Sequence, residues 1–244
     1  MSLLVLNNLE IRYGRLTAVR GVSLSIRDGD TVFITGPNGA GKSSLLRAIA
    51  GATPASAGTV EFDGYNITGR APEDIARLGF SMVPEGRDVF GSLTIEENLM
   101  VGRGMAKKDR DWRTKAIEDL DAVYQTFPIL KDRRNSQAGL LSGGQQQMLV
   151  IGRALMTNPR LIAIDEPSLG LAPNITDQVY ERLIGLQAQR ALTLLIVEQS
   201  ATRADLVGGR MLLMRGGQIV LDGNARELGN GAAIQAAYFG YEDH

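Results

Sequence analysis

The sequence predicts an α/β fold with a mainly parallel sheet core, antiparallel strands added near the N-terminus and a helical insert in the middle. Short β-rich apolar runs alternate with helical patterns, which calls for crossover connections and hence parallel strands. One of these runs feeds directly into a glycine loop that a helix follows. From about 95 to 156 the β-branched runs give way to helical segments with charged faces.

Taken in order, 3–13 and 22–26 carry partly alternating apolar positions and read as strands, with Asp28-Gly29 as a turn. Residues 31–35 form a short buried strand, and 43–50 a helix that Gly51 is placed to end. A strand at 59–62 precedes the turn pair Asp63-Gly64. Beyond the helical stretch, 161–164 returns to a buried strand, and 176–187 is a helix with Val179, Leu183, Ile184 and Leu186 on one face. A further buried strand spans 192–197, and 211–214 with 218–221 make a hairpin around Gly216-Gly217. The expectation is one domain over 1–244: a core of 1–90 and 157–225, a helical subdomain at about 91–156, and a tail of 226–244.

The 244 residues suffice for one large α/β domain with a sizeable core. Hydrophobic residues at 44% and charged residues at 22% argue against disorder. A net charge of -1 gives no global attraction to nucleic acid or acidic lipid, so no nucleic-acid partner is expected. Cysteine is absent, which excludes disulfides and thiolate metal sites and is compatible with a reducing cytosol. The first dozen residues lack the layout of a signal peptide. The most apolar runs fall far short of the roughly 20 residues that span a bilayer. Any membrane role is therefore expected from the side, through a partner.

Gly36-Pro37-Asn38-Gly39-Ala40-Gly41-Lys42-Ser43, followed by Ser44, fits the phosphate-loop pattern G-x-x-x-x-G-K-[ST] in full. Glycines let consecutive amides curl around phosphate oxygens, and the helix start adds unpaired N–H groups and a positive dipole end. Lys42 is placed to reach the β- and γ-phosphates, and the Ser43 hydroxyl to ligate Mg²⁺. Asp165 and Glu166 follow four apolar residues directly. Ligands of parallel sheets sit at the carboxyl ends of strands, so Asp165 is a candidate for the same Mg²⁺ and Glu166 for the general base that polarises an attacking water. The competing reading of the pair is a solvated turn.

A second glycine-bearing helix start, Leu141-Ser142-Gly143-Gly144-Gln145, precedes the helical run at 146–156. Its plain reading is an ordinary N-cap with two flexible glycines. Yet this pentapeptide, about twenty residues before Asp165-Glu166, resembles the signature motif of ATP-binding-cassette ATPases, and the resemblance covers nearly the whole chain. It implies two cassettes paired head to tail, each ATP held between the phosphate loop of one and the signature loop of the other. Ser142, Gly143, Gly144 and Gln145 would then serve the partner's nucleotide. The same resemblance makes Tyr13 the aromatic that stacks on adenine, with a core strand aromatic as the alternative. It makes Ser168-Leu169-Gly170-Leu171-Ala172 the loop that crosses between cassettes.

Two positions depart from the family pattern. Glu85 stands where most members have Gln, and Gln199 where most have His; the chain's one histidine is His244. Glutamine can bond a γ-phosphate but cannot gain a proton near neutral pH, and a carboxylate at Glu85 could approach Mg²⁺ while repelling phosphate. Weaker hydrolysis at this chain's own loop is the expectation. Val83-Pro84-Glu85-Gly86-Arg87, the run from Pro167 to Pro173 and Val197-Glu198-Gln199 together resemble the second ATP-binding subunit of branched-chain amino acid importers, with urea importers close by. That subgroup implies a homologous ATPase partner (a second copy being the alternative), membrane permease subunits, an extracytoplasmic solute-binding protein acting indirectly, and a peripheral place on the cytoplasmic face of the membrane. Val89, Phe90, Leu93, Ile95 and Leu99 are read as a permease groove or as core of the insert. A non-transport cassette, of the kind that acts in translation or DNA repair, is the other class, disfavoured by the single phosphate loop and the lack of long heptad runs.

Overall fold

The computed structural model describes residues 2–105 and 111–229; 106–110 of the expected helical insert and the tail from 230, with His244, lie outside the described residues. In chain order come β1 (Ser2–Tyr13), β2 (Leu16–Arg27), β3 (Thr31–Thr35), α1 (Lys42–Ile49), β4 (Ala57–Phe62), β5 (Tyr65–Asn66), α2 (Pro72–Arg77) and β6 (Phe80–Val83). Then follow α3 (Ile95–Met105), α4 (Trp112–Thr126), α5 (Pro128–Asp132), α6 (Gly143–Leu155), β7 (Leu161–Asp165) and α7 (Pro173–Arg190). The described chain continues with β8 (Thr193–Glu198), α8 (Thr202–Val207), β9 (Arg210–Arg215), β10 (Gln218–Asn224) and α9 (Ala225–Gly229). These elements fall into two compact units, one joining Met1–Pro72 to Thr193–His244, the other Glu73–Leu192.

In the first unit β1 pairs antiparallel with β2 and with β4, and β4 with β5. Alternation in β1 buries Leu4, Leu6, Leu9 and Ile11 on the shared face. β2 begins earlier than its apolar alternation suggests, because the ladder runs to the tight end of the hairpin, where Tyr13 faces Leu16. β3 runs parallel to both β8 and β9, and β10 closes antiparallel on β9. Val32, Phe33 and Ile34 of β3, and Leu194 to Val197 of β8, have no exposed surface. That is why both strands read as unbroken apolar runs: parallel strands are covered on both faces. The predicted turn at Gly216-Gly217 is present, and Gly217 N–H donates to the Ala40 carbonyl at 3.0 Å, bracing the phosphate loop from behind.

In the second unit β6 lies parallel to β7, Phe80 opposite Leu161 through Val83 opposite Ile164. Sequence periodicity alone does not reveal β6, a four-residue strand too short for a pattern. Helices α3, α4, α5 and α7 all pack against α6, whose Leu149 and Ile151 are fully buried. α7 starts at Pro173, three residues before the expected start at 176, as a proline at the first helical position allows. Its buried face is Thr176, Val179, Tyr180, Leu183 and Leu186, with Ile184 half-buried at the margin.

Candidate nucleotide site

The loop after β3 is shaped by where its glycines sit. Gly36 has φ 148 and Gly41 φ 101, and a Cβ on either would run into backbone, the Met214 carbonyl for Gly36 and the Ala18 carbonyl for Gly41. The loop can therefore lie flat against β9 and β2 only with glycine at both positions. Around Gly39, at the outer rim, no atom lies within 4 Å of such a Cβ. Lys42 is buried, and its Nζ donates to the carbonyls of Gly36 (2.8 Å) and Pro37 (3.2 Å), so the ammonium lies across the loop. The N-cap of α1 is Gly41, which makes no side-chain cap, and no acidic residue stands in the first turn. A buried cation beside uncapped helix amides and a positive dipole end suits a polyphosphate and would repel a cation. The donor set fits a nucleotide.

Tyr13 is 44% exposed, which rules out the core reading of this ring. Its hydroxyl bonds the Ser44 side chain and, less strongly, that of Thr53; with the Arg47 charge these hold the phenol below its ordinary pKa against the opposing desolvation. Ser44, expected to touch the nucleotide, is thus engaged with Tyr13, and Ser43 beside it is half-buried. Gln199 in the same unit is exposed just beyond β8, after the buried Glu198.

In the second unit β7 ends on Asp165, and Glu166 follows in the left-handed region at φ 50. Exposures of 1% for Asp165 and 9% for Glu166 overturn the solvated-turn reading. Keeping two carboxylates out of water is costly and is found where they are held for a purpose. Glu85 is exposed in the loop after β6.

Ser142 is the N-cap of α6: its Oγ accepts from Gln145 N–H, and Gln145 Oε1 accepts from Ser142 N–H at 3.2 Å, a reciprocal capping box. Arg133 Nη1 also donates to that Oε1 at 3.0 Å, so the oxygen of Gln145 works within the cap. Neither Gly143 nor Gly144 has a positive φ. They are glycines for space. A Cβ on Gly144 would collide with Ile175 of α7, and one on Gly143 would stand 2.7 Å from Arg87 Nη1.

The profile of the ABC transporter family matches residues 19–169, well over half the chain. The chain belongs to the ABC transporter family. Among its relatives is the high-affinity branched-chain amino acid transport ATP-binding protein BraG of Pseudomonas aeruginosa, 40% identical over 93% of this chain and 95% of that protein. An ATP-binding cassette of an ABC transporter, solved in its ADP conformation, superposes with a TM-score of 0.85 at 28% identity over 99% of this chain and 100% of the other. A cassette solved as a dimer in a post-hydrolysis state with ADP and Pi gives 0.76 at 25% identity, over 91% of this chain and 99% of that one. Like its relatives, this ABC cassette is an ATPase. Among the described residues no helix is long and apolar enough to cross a membrane. Periodicity and spacing alone miss two contributors, Arg87 and Arg133, because their contacts reach other loops and leave no pattern in the string.

Proposed function

We propose that this ABC ATPase energises a membrane importer of branched-chain amino acids from the cytoplasmic face, paired with a homologous ATPase subunit. What supports the nucleotide half is the uncapped, acid-free start of α1 with Lys42 buried beside it. The solute half is supported by the likeness to BraG over almost the full length. Pairing is supported by the dimeric cassette with ADP and Pi.

In this reading Lys42 neutralises the β- and γ-phosphates, and Tyr13 offers its exposed ring to the adenine. Ser43, Asp165 and Glu85 are the residues that would hold the metal. Among the described residues no group of three or more His, Cys, Asp or Glu forms a cation site. A metal bound here would take most of its oxygens from phosphate and water, which is the habit of Mg²⁺. When bound, Mg²⁺ would supply charge neutralisation to the phosphates. Glu166 takes the proton of the attacking water, and Gln199 bonds the γ-phosphate without titrating. Ser142, Gly143 and Gly144 present the start of α6 to the partner's nucleotide, with Gln145 holding Ser142 in place.

Closure would pass to the permease through the segment after Glu85. Ile95 and Leu99 are fully buried and belong to the core, whereas Phe90 is 47% exposed and Val89 and Leu93 half-buried. The docking surface is therefore narrowed to 89–93, and a cysteine at exposed Ser92 should crosslink to a cytoplasmic helix of the permease.

The decisive experiment uses Glu166→Gln, which leaves the phosphate loop intact. With ATP and Mg²⁺ it should pair with its counterpart on size exclusion, and the wild-type assembly in vesicles should take up leucine with ATP hydrolysis. Strictly monomeric behaviour beside the counterpart would overturn the pairing, and uptake of urea without leucine would overturn the solute.

A further inference from the structure

Arg87 has no place in the reading above, yet its guanidinium bonds the 168–172 loop, which the resemblance runs between cassettes, and lies beside the start of α6, which the reading gives to the partner's nucleotide. It sits in the loop after β6, half-buried, two residues from Glu85. Its backbone φ of 61 lies in the left-handed region, which a residue with a Cβ rarely occupies, and Gly86 before it has φ 108. Nη2 donates to the Leu169 carbonyl at 2.8 Å and reaches that of Gly170 at 3.3 Å. Nη1 lies 2.7 Å from where a Cβ on Gly143 would stand, and the guanidinium carbon 3.2 Å from it. A Cβ on Gly170 would likewise stand 3.2 Å from Nη2. One planar cation thus lies between the glycine at the start of α6 and the glycine of the 168–172 loop, and a side chain at either position would push it aside.

We infer that Arg87 is a positioning residue: its guanidinium fixes the spacing between the start of α6 and the 168–172 loop, so that both meet the partner chain as one preset surface. The inference rests on the proposed pairing. Nη2 alone meets the carbonyls at 169 and 170 while Nη1 lies beside Gly143, so the planar guanidinium spans both loops where a single ammonium would reach only one. The arrangement also accounts for Gly143, which has no positive φ and leaves room for the guanidinium, whereas Gly170 has φ 65. Without it the two loops would have to be ordered during pairing, and affinity would fall by the cost of that ordering. The phosphate loop of the same chain, in the other compact unit, is not part of this linkage.

The test places Arg87→Ala and Arg87→Lys in the full-length Glu166→Gln background and measures two quantities. One is binding of a fluorescent ATP analogue to the unpaired chain. The other is the ATP concentration, with Mg²⁺, at which half the chain pairs with its counterpart. For Arg87→Ala the first should stay within about twofold, while the second rises about tenfold or more, the scale of one lost charge-assisted hydrogen bond. Arg87→Lys keeps the charge and the stem but not the planar fork, and should bind the analogue like the parent without restoring pairing. Pairing by Arg87→Ala at the parent's ATP concentration would overturn the inference, as would full recovery of pairing in Arg87→Lys. If the Glu166→Gln parent itself does not pair, it is the proposed function that falls.

Discussion

Tyr13 turns its ring to the surface while Ser44 and Thr53 hold its hydroxyl, so ring and hydroxyl have separate tasks. Stacking on adenine needs only the ring. Tyr13→Phe should therefore bind a fluorescent ATP analogue within about twofold of wild type, whereas Tyr13→Ala should lose about 1–3 kcal/mol of binding, the usual worth of one base–aromatic stack. Equal loss in both variants would mean that the hydroxyl network on α1, not stacking, is what Tyr13 provides. The buried Glu166 is the second single-residue case. Glu166→Gln keeps volume and hydrogen bonding but cannot take a proton, so kcat should fall about 10²–10⁴-fold with nucleotide binding retained, as read from single-turnover hydrolysis. The left-handed backbone at Glu166 is strain of the kind that collects at working sites.

At the level of elements, the crossing of α3, α4 and α6 depends on the absence of side chains. A Cβ on Gly152 would stand 2.9 Å from Val123 Cγ1 and 3.0 Å from Leu99 Cδ2, and one on Gly102 would strike the Arg153 carbonyl. Gly152→Ala should destabilise the protein by about 1–3 kcal/mol on chemical denaturation, the range for overpacking a filled core, despite the better helix propensity of alanine. The hairpin β9–β10 offers a gentler test. Arg210 Nη2 meets Asp222 Oδ2 at 2.6 Å, and the bond from Arg210 is the chief cause that holds the Asp222 carboxyl below its ordinary value. A depressed carboxylate stabilises the fold above its unfolded pKa and loses that contribution as pH falls through the folded one. Asp222→Asn should therefore flatten the acid limb of stability below about pH 4. At neutral pH it should cost less than about 1 kcal/mol, because the pair is largely solvated. These elements also show what a one-dimensional reading can reach. The phosphate loop was legible because its cradle is made of consecutive residues, and β3, β7 and β8 because doubly covered strands are apolar throughout. β6 was too short to show a period, and the contact of Arg87 with Leu169 spans 82 positions that no local pattern links.

On the scale of the whole molecule, the chain carries a well-formed phosphate loop and two buried carboxylates, but its position after β8 is an exposed glutamine and its position after β6 an exposed glutamate. In the proposed reading Lys42 and the start of α1 would bind phosphate whatever stands at 85 and 199, so affinity and turnover would be set by different residues. If the counterpart supplies a site with a titratable group at the position of Gln199, the pair is asymmetric: one nucleotide is hydrolysed quickly while the other mainly holds the two chains together. Gln199→His should then raise the rate at this chain's own loop and give it a dependence on pH between about 6 and 7, where an imidazole titrates. Glu85→Gln should add to that rate if, as the proposed reading has it, the carboxylate repels phosphate oxygens, while ATP affinity changes by less than about threefold because the cradle itself is untouched. The measurement is hydrolysis by pairs in which the counterpart's own phosphate-loop lysine has been replaced, so that only this chain's site turns over. A rate unchanged or lowered in the double variant would show that Gln199 and Glu85 are no handicap, and that both sites of the pair work alike.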